Sequence, residues 1–98
     1  MTYEGKYKLM HPFLRLFKPK LLLYSGKKSG NLKGKLTIMR YQRKLNLVKE
    51  KQDELLLQMK VDFIVIDVIL RFYKEGYLEG FLDTPIGNIH FTGIRMEV

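Results

Sequence analysis

The stretch "QRKLNLVKEKQDELLLQMKVD", Gln42–Asp62, decides the fold, because it reads in two ways. As strands, Leu45 and Leu47 alternate with Asn46 and Val48, "EKQD" turns, and Leu55, Leu57, Met59 and Val61 line one face. That is the two-residue period of a half-buried strand. As a helix, Leu45, Val48, Leu55, Met59 and Ile66 fall near one apolar stripe, and Lys, Glu, Gln and Leu are good helix formers. The first reading makes the chain all-β. The second makes it α+β with a long central helix over about 42–60. Periodicity within the stretch does not separate them.

The flanking sequence alternates more plainly. Tyr3, Tyr7 and Leu9 share a face with Gly5 while Lys6 and Lys8 point away, which predicts a strand from Thr2 to Met10. "HPFLRLFKP" follows, bounded by Pro12 and Pro19, which disrupt any ladder they enter. "KLLLYS", Lys20–Ser25, predicts a second strand and "GKKSGN" a turn. Leu32, Gly34, Leu36 and Ile38 alternate with Lys33, Lys35 and Thr37 as a third. After the central stretch, "FIVIDVILRFY" is rich in β-branched and aromatic residues and predicts a strand. "KEG" turns, and Leu78, Gly80 and Leu82 alternate with Tyr77, Glu79 and Phe81. "DTPIGN" turns again around Pro85 and Gly87, and Ile89 and Phe91 alternate with His90 and Thr92 up to Arg95 or Met96.

Read as strands throughout, the chain holds eight short strands at even spacing, separated by turn signals. That spacing predicts an antiparallel barrel or sandwich. Eight strands close a barrel just wide enough to be filled by side chains or to hold one small ligand. The 98 residues make one domain, 1–98.

One pattern occurs twice, 46 residues apart: Gly30, Leu32, Gly34, Leu36 and Gly76, Leu78, Gly80, Leu82. Each copy puts one glycine in a hairpin turn and a second inside the strand. An interior strand glycine is tolerated where the strand bends sharply or another group approaches its backbone. The repeat suggests two similar four-stranded halves.

"GYLEGFLDTPIGNIHFTGIR", Gly76–Arg95, resembles the closing segment of a family of small bacterial lipocalin-like (calycin-like) β-barrel proteins. There a Gly-x-Leu-x-Gly hairpin is followed by Thr-Pro-x-Gly and a terminal Phe-x-Gly-x-Arg. The matching residues are Gly76, Leu78, Gly80, then Thr84, Pro85, Gly87, then Phe91, Gly93, Arg95. "YEGKYKL" and "GNLKGKL" resemble the same family in order and spacing, whereas residues 11–25 depart from it, lacking the usual glycine turn. The resemblance implies an up-and-down barrel, a dimer, and no catalytic residues to carry over. It favours strands in the central stretch. It also implies that Arg95 closes the barrel end through a carboxylate or carbonyl contact.

Charge is unevenly placed. Residues 1–51 hold fourteen Lys and Arg against two Glu, and residues 52–98 hold four against eight acids. The asymmetry hints at a polyanion partner. The plainer reading is that the lysines keep a β protein soluble and its edges unpaired, since no compact basic block stands in the sequence. The chain has no cysteine, hence no disulfide and no thiolate chemistry. The N-terminus lacks the apolar run of a signal peptide, and the most apolar window, Val61–Leu70, is too short to span a bilayer. A cytoplasmic protein without a membrane partner is expected.

Chemistry-bearing constellations are sparse. His11 and His90 are the two histidines and have no ligand set around them, so neither a metal nor a cofactor is expected. "GKKSG" lacks the spacing of a phosphate-binding loop. Asp67 and Arg71 lie on one face of the most apolar strand, ~13 Å apart at the usual rise. Facing the lumen, they would be buried charges that orient a ligand. Facing outward, they would share a subunit interface with Val65, Ile69 and Tyr73.

Three functional expectations follow. The first is a non-catalytic barrel binding a small apolar or amphipathic ligand, with Tyr7, Asp67, Arg71 and Phe91 as candidate contacts and Gly30, Gly34, Gly76, Gly80, Pro85, Gly87, Gly93 and Arg95 as the structural hairpin set. The second is a homodimer formed through the apolar 63–73 strand. The third is nucleic-acid binding through Lys18, Lys20, Lys27, Lys28, Lys33 and Lys35, with Tyr24 and Tyr41 stacking on bases.

Overall fold

The structure, a computed structural model, describes residues 3–12, 15–25 and 32–96. Its strands are β1 (Gly5–Met10), β2 (Lys20–Ser25), β3 (Leu32–Ile38), β4 (Tyr41–Lys51), β5 (Glu54–Val61), β6 (Ile64–Phe72), β7 (Tyr77–Thr84) and β8 (Gly87–Arg95). Each pairs antiparallel with the next, and β1 pairs with β8 to close the barrel. The chain is therefore all-β. The helical alternative for the central stretch is overturned. β4 and β5 are joined by a turn at Gln52 and Asp53, with Asp53 at φ +60. As strands they bury Leu45, Leu55, Leu57 and Met59 together on the inner wall. A helix would have scattered Leu57 away from the stripe of Leu55 and Met59.

Several local readings change. β1 begins at Gly5 rather than Thr2: the Arg95 side chain packs against Gly5, and the Tyr3 ring packs on Phe72 at 4.4 Å instead of continuing the ladder. A short 3₁₀ turn, Arg15–Phe17, stands in the proline-bounded connection. β4 carries a bulge between Leu47 and Lys49, which leaves Val48 without a partner and half-exposed. "KEG" forms a 3₁₀ turn, Lys74–Gly76. Gly30, Lys27 and Lys28, with the turn they belong to, lie outside the described residues.

Every strand contributes its alternate residues to one core. Tyr7, Leu21, Leu23, Leu45, Leu55, Leu57, Leu70 and Leu78 are almost wholly buried. Each leucine contributes about 1.5–3 kcal/mol in leaving water. The two interior glycines of the repeated pattern stand directly across from large inward side chains: Gly34 opposite Leu45, and Gly80 opposite Phe91. A β-carbon on Gly80 would lie 2.1 Å from the Phe91 ring, and one on Gly34 would lie 3.1 Å from Leu45. Close approach of the side chain on the neighbouring strand explains both.

Candidate functional site: the outer wall of the barrel

The lumen is filled. At the end bearing the chain termini, Tyr7 donates a 2.9 Å hydrogen bond to the Tyr3 carbonyl, and the Tyr3 hydroxyl accepts one of 2.9 Å from the Asp53 amide. Burial raises the Tyr7 phenol above the ordinary tyrosine range, and the Arg95 charge partly offsets this. Arg95 lies beneath Gly5 and Gly76 and donates to the Glu4 carbonyl. Nearer the other end, Leu9, Leu21, Leu36, Leu45 and Phe91 border an apolar niche of about 30 Å³. Ordinary small-molecule pockets measure about 300–1,000 Å³.

The candidate contacts do not form one cluster. Tyr7 and Phe91 are inside, whereas Asp67 and Arg71 are outside, because β6 turns Ile66, Val68, Leu70 and Phe72 inward. On the outer face Asp67 accepts a 3.1 Å hydrogen bond from the Gln58 amide of β5, and Arg71 pairs with Glu54 at 3.3 Å. Leu56, Ile69 and Phe81 adjoin one another across β5, β6 and β7. Phe81 is covered by the chain's own polar side chains: the Arg71 guanidinium stands 5.9 Å from its ring, and the His90 ring 4.9 Å. His90 in turn meets Glu79 at 3.4 Å. This wall is acidic at its margins and largely self-satisfied.

The opposite wall, built by β1–β4, is different. Alternation points Lys6 and Lys8 outward from β1, Lys20 from β2, Lys33 and Lys35 from β3, and Lys44 from β4. Strand pairing then sets them side by side. One row runs Lys6, Leu22, Lys35, Lys44, and the next runs Lys8, Lys20, Thr37, Gln42. At ~4.8 Å per strand, a row crosses about 14 Å. No carboxylate occupies an outward position of β1, β2, β3 or the first half of β4, and none of the six lysines is in an ion pair among the described residues. A groove of about 310 Å³ crosses the wall between Lys6, Lys20, Lys35 and Gln42. Through Lys20 and Thr37 it meets a second hollow of about 420 Å³ that reaches Lys18, Arg40, Phe17 and Met39.

Of the predicted basic residues, Lys20, Lys33 and Lys35 stand on this wall and Lys18 at its edge. Tyr24 is half-buried opposite Lys33, and Tyr41 is exposed where β4 begins. Sequence reasoning did not select Lys6, Lys8 or Lys44. Their outward phase is legible in the alternation, but their adjacency appears only once neighbouring strands are paired.

Among the described residues no helix is long and apolar enough to cross a membrane. The fold defines the class: a closed eight-stranded antiparallel up-and-down β-barrel. Comparison with protein-family models, with curated proteins and with solved structures returned no match.

Proposed function

We propose that the chain is a non-catalytic binding barrel whose working surface is the lysine wall of β1–β4, and whose partner is a phosphate-bearing polyanion. The observation that carries this reading is the pair of lysine rows: Lys6, Lys35 and Lys44 beside Lys8 and Lys20, over a groove, with no acid at an outward position of β1, β2, β3 or the first half of β4. Cations within a Debye length of one another, ~8–10 Å, act on a polyanion together. Binding of this kind releases counterions and weakens steeply with salt.

The two other readings have less support. An apolar ligand held inside the barrel would have to displace core side chains, given a niche of about 30 Å³. A dimer through the β6 wall would bury Asp67, Arg71 and Glu79, which already have partners on their own chain.

Titration with fluorescent polyphosphate tests the proposal. Affinity should fall by about a thousandfold between about 50 and 200 mM salt if six phosphates are neutralised. Reversing Lys20, Lys35 and Lys44 to Glu should abolish binding at the lower salt. Reversing Lys49, Lys51 and Lys60, at the same change in net charge, should leave most of it. Equal losses from both triple variants would mean that net charge alone, and not this wall, attracts the polyanion.

A further inference from the structure

We propose that the end of the barrel formed by the β1–β2, β3–β4, β5–β6 and β7–β8 connections docks on an anionic lipid bilayer, and that Leu16, Met39, Phe63 and Ile86 enter its interface. This rests on reading the lysine wall as a polyanion site, and it identifies the polyanion as a headgroup surface.

Up-and-down topology brings these four connections to one end. Each of them carries an exposed apolar side chain. Leu16 is 82% exposed, Met39 63% and Ile86 98%, and Phe63 is fully exposed. None of these degrees of exposure is required by the core. At the opposite end the described β4–β5 turn is Gln52–Asp53, and the β6–β7 connection is the Lys74–Gly76 turn beside Tyr73. No exposed aliphatic side chain stands in either turn. The asymmetry is one of the described turns: at the opposite end Tyr73, Tyr77 and Met96 are exposed beside the turns and not at their tips.

Turn chemistry does not account for the apolar tips. Two-residue hairpin turns favour Asn and Gly, because one or both central residues adopt positive φ. Met39 occupies such a position at φ +56. A β-carbon there crowds the following carbonyl. Phe63 fills the second place of the Asp62–Phe63 turn with nothing packed around it. Met39 reduces the stability of the turn it occupies, and both residues place an apolar group in water.

The lysine wall runs into this end. Lys8 and Lys20 form the row nearest to it, and the groove continues past them to Lys18, Arg40, Phe17 and Met39. At Leu16 and Met39, apolar tips with basic residues just behind them match a bilayer's acyl boundary and anionic headgroups, while Phe63 and Ile86 extend the apolar rim beside Asp62 and Asp83. Nucleic acid fits less well: of the four tips only Phe63 offers a flat ring on which a base could stack, and Leu16, Met39 and Ile86 do not. A protein partner fits less well too. The tips stand on four separate connections of a barrel measuring 32 × 29 × 25 Å; Leu16 and Met39 border one hollow, which Phe63 and Ile86 do not line. A fluid interface accepts separated insertions without a pocket for each. The expectation of no membrane partner rested on the absence of a spanning run, and surface docking needs none.

Vesicle co-sedimentation tests the proposal. The wild-type chain should bind vesicles of equal parts phosphatidylcholine and phosphatidylserine and remain free of phosphatidylcholine alone. Phe63→Ser with Ile86→Ser, both at exposed tips, should reduce vesicle binding at least tenfold while leaving polyphosphate binding unchanged. The Lys20, Lys35 and Lys44 reversal should lose both. Unchanged vesicle binding by the tip variant overturns the docking. So does a single-stranded oligonucleotide bound more tightly than vesicles, with no effect of the tips. Binding of the lysine variant to neutral vesicles would overturn the anionic docking, whereas loss of polyphosphate binding alone, with vesicle binding intact, would remove the identification of the polyanion as a headgroup surface.

Discussion

Lys35 on β3 and Lys44 on β4 stand directly opposite one another, and Lys8 and Lys20 repeat the arrangement on β1 and β2. Like charges placed directly opposite on neighbouring strands destabilise a sheet. The wall therefore carries a repulsion that a bound polyanion would relieve. Lys44→Glu replaces one such pair with an attractive one. It should raise stability by ~0.2–1 kcal/mol in denaturant unfolding while weakening polyphosphate binding. A variant that loses stability and binding together would instead mark Lys44 as a structural residue.

Met39→Asn tests whether the loop tips are held against local preference. Relief of the positive-φ strain at Met39 should stabilise the chain by about 1 kcal/mol. Asparagine also removes the apolar tip, so vesicle binding should fall in the same variant. Thermal unfolding and co-sedimentation on one preparation read both effects.

Gly80→Ala tests how the lumen is filled. The Phe91 ring lies 2.1 Å from where the new β-carbon would stand, so the ring must move. Overpacking of this kind costs about 1–3 kcal/mol. Gly34→Ala meets Leu45 at 3.1 Å and Leu23 at 3.3 Å and should cost less. Denaturant midpoints compare the two. An unchanged Gly80→Ala midpoint would mean that the lumen has room to spare.

Tyr7 predicts the alkaline limit of the fold. Its folded-state pKa is raised, chiefly by burial, so the neutral phenol is the form the core accepts. That contribution is complete below the ordinary tyrosine pKa, about 10, and is lost as pH climbs through the raised folded value. Melting temperature should fall above about pH 10. Tyr7→Phe, which cannot ionise, should show a smaller fall.

Much of the fold is legible because it rests on local alternation. Lys20–Ser25 and Leu32–Ile38 are strands with the bounds that the alternation predicts. Features set by distant contacts are not legible. Val48 bulges because β4 must meet β5 in a shifted register, and no glycine marks the place. Phe63 reads as the first residue of an apolar strand, yet it lies in the turn before β6. The alternation puts Asp67 and Arg71 on one face without saying which face is outside. The lysine wall is hidden for a similar reason. No dense basic block occurs along the chain, and the block forms only across β1–β4.

Phe63→Trp offers the most direct measurement, since the chain holds no tryptophan and the new indole would report from one tip alone. With mixed phosphatidylcholine–phosphatidylserine vesicles, its emission should shift to the blue and be quenched by brominated acyl chains. Polyphosphate should cause neither change. Emission that keeps the signature of indole in water, at lipid concentrations where the chain sediments with vesicles, would contradict insertion of the loop tips.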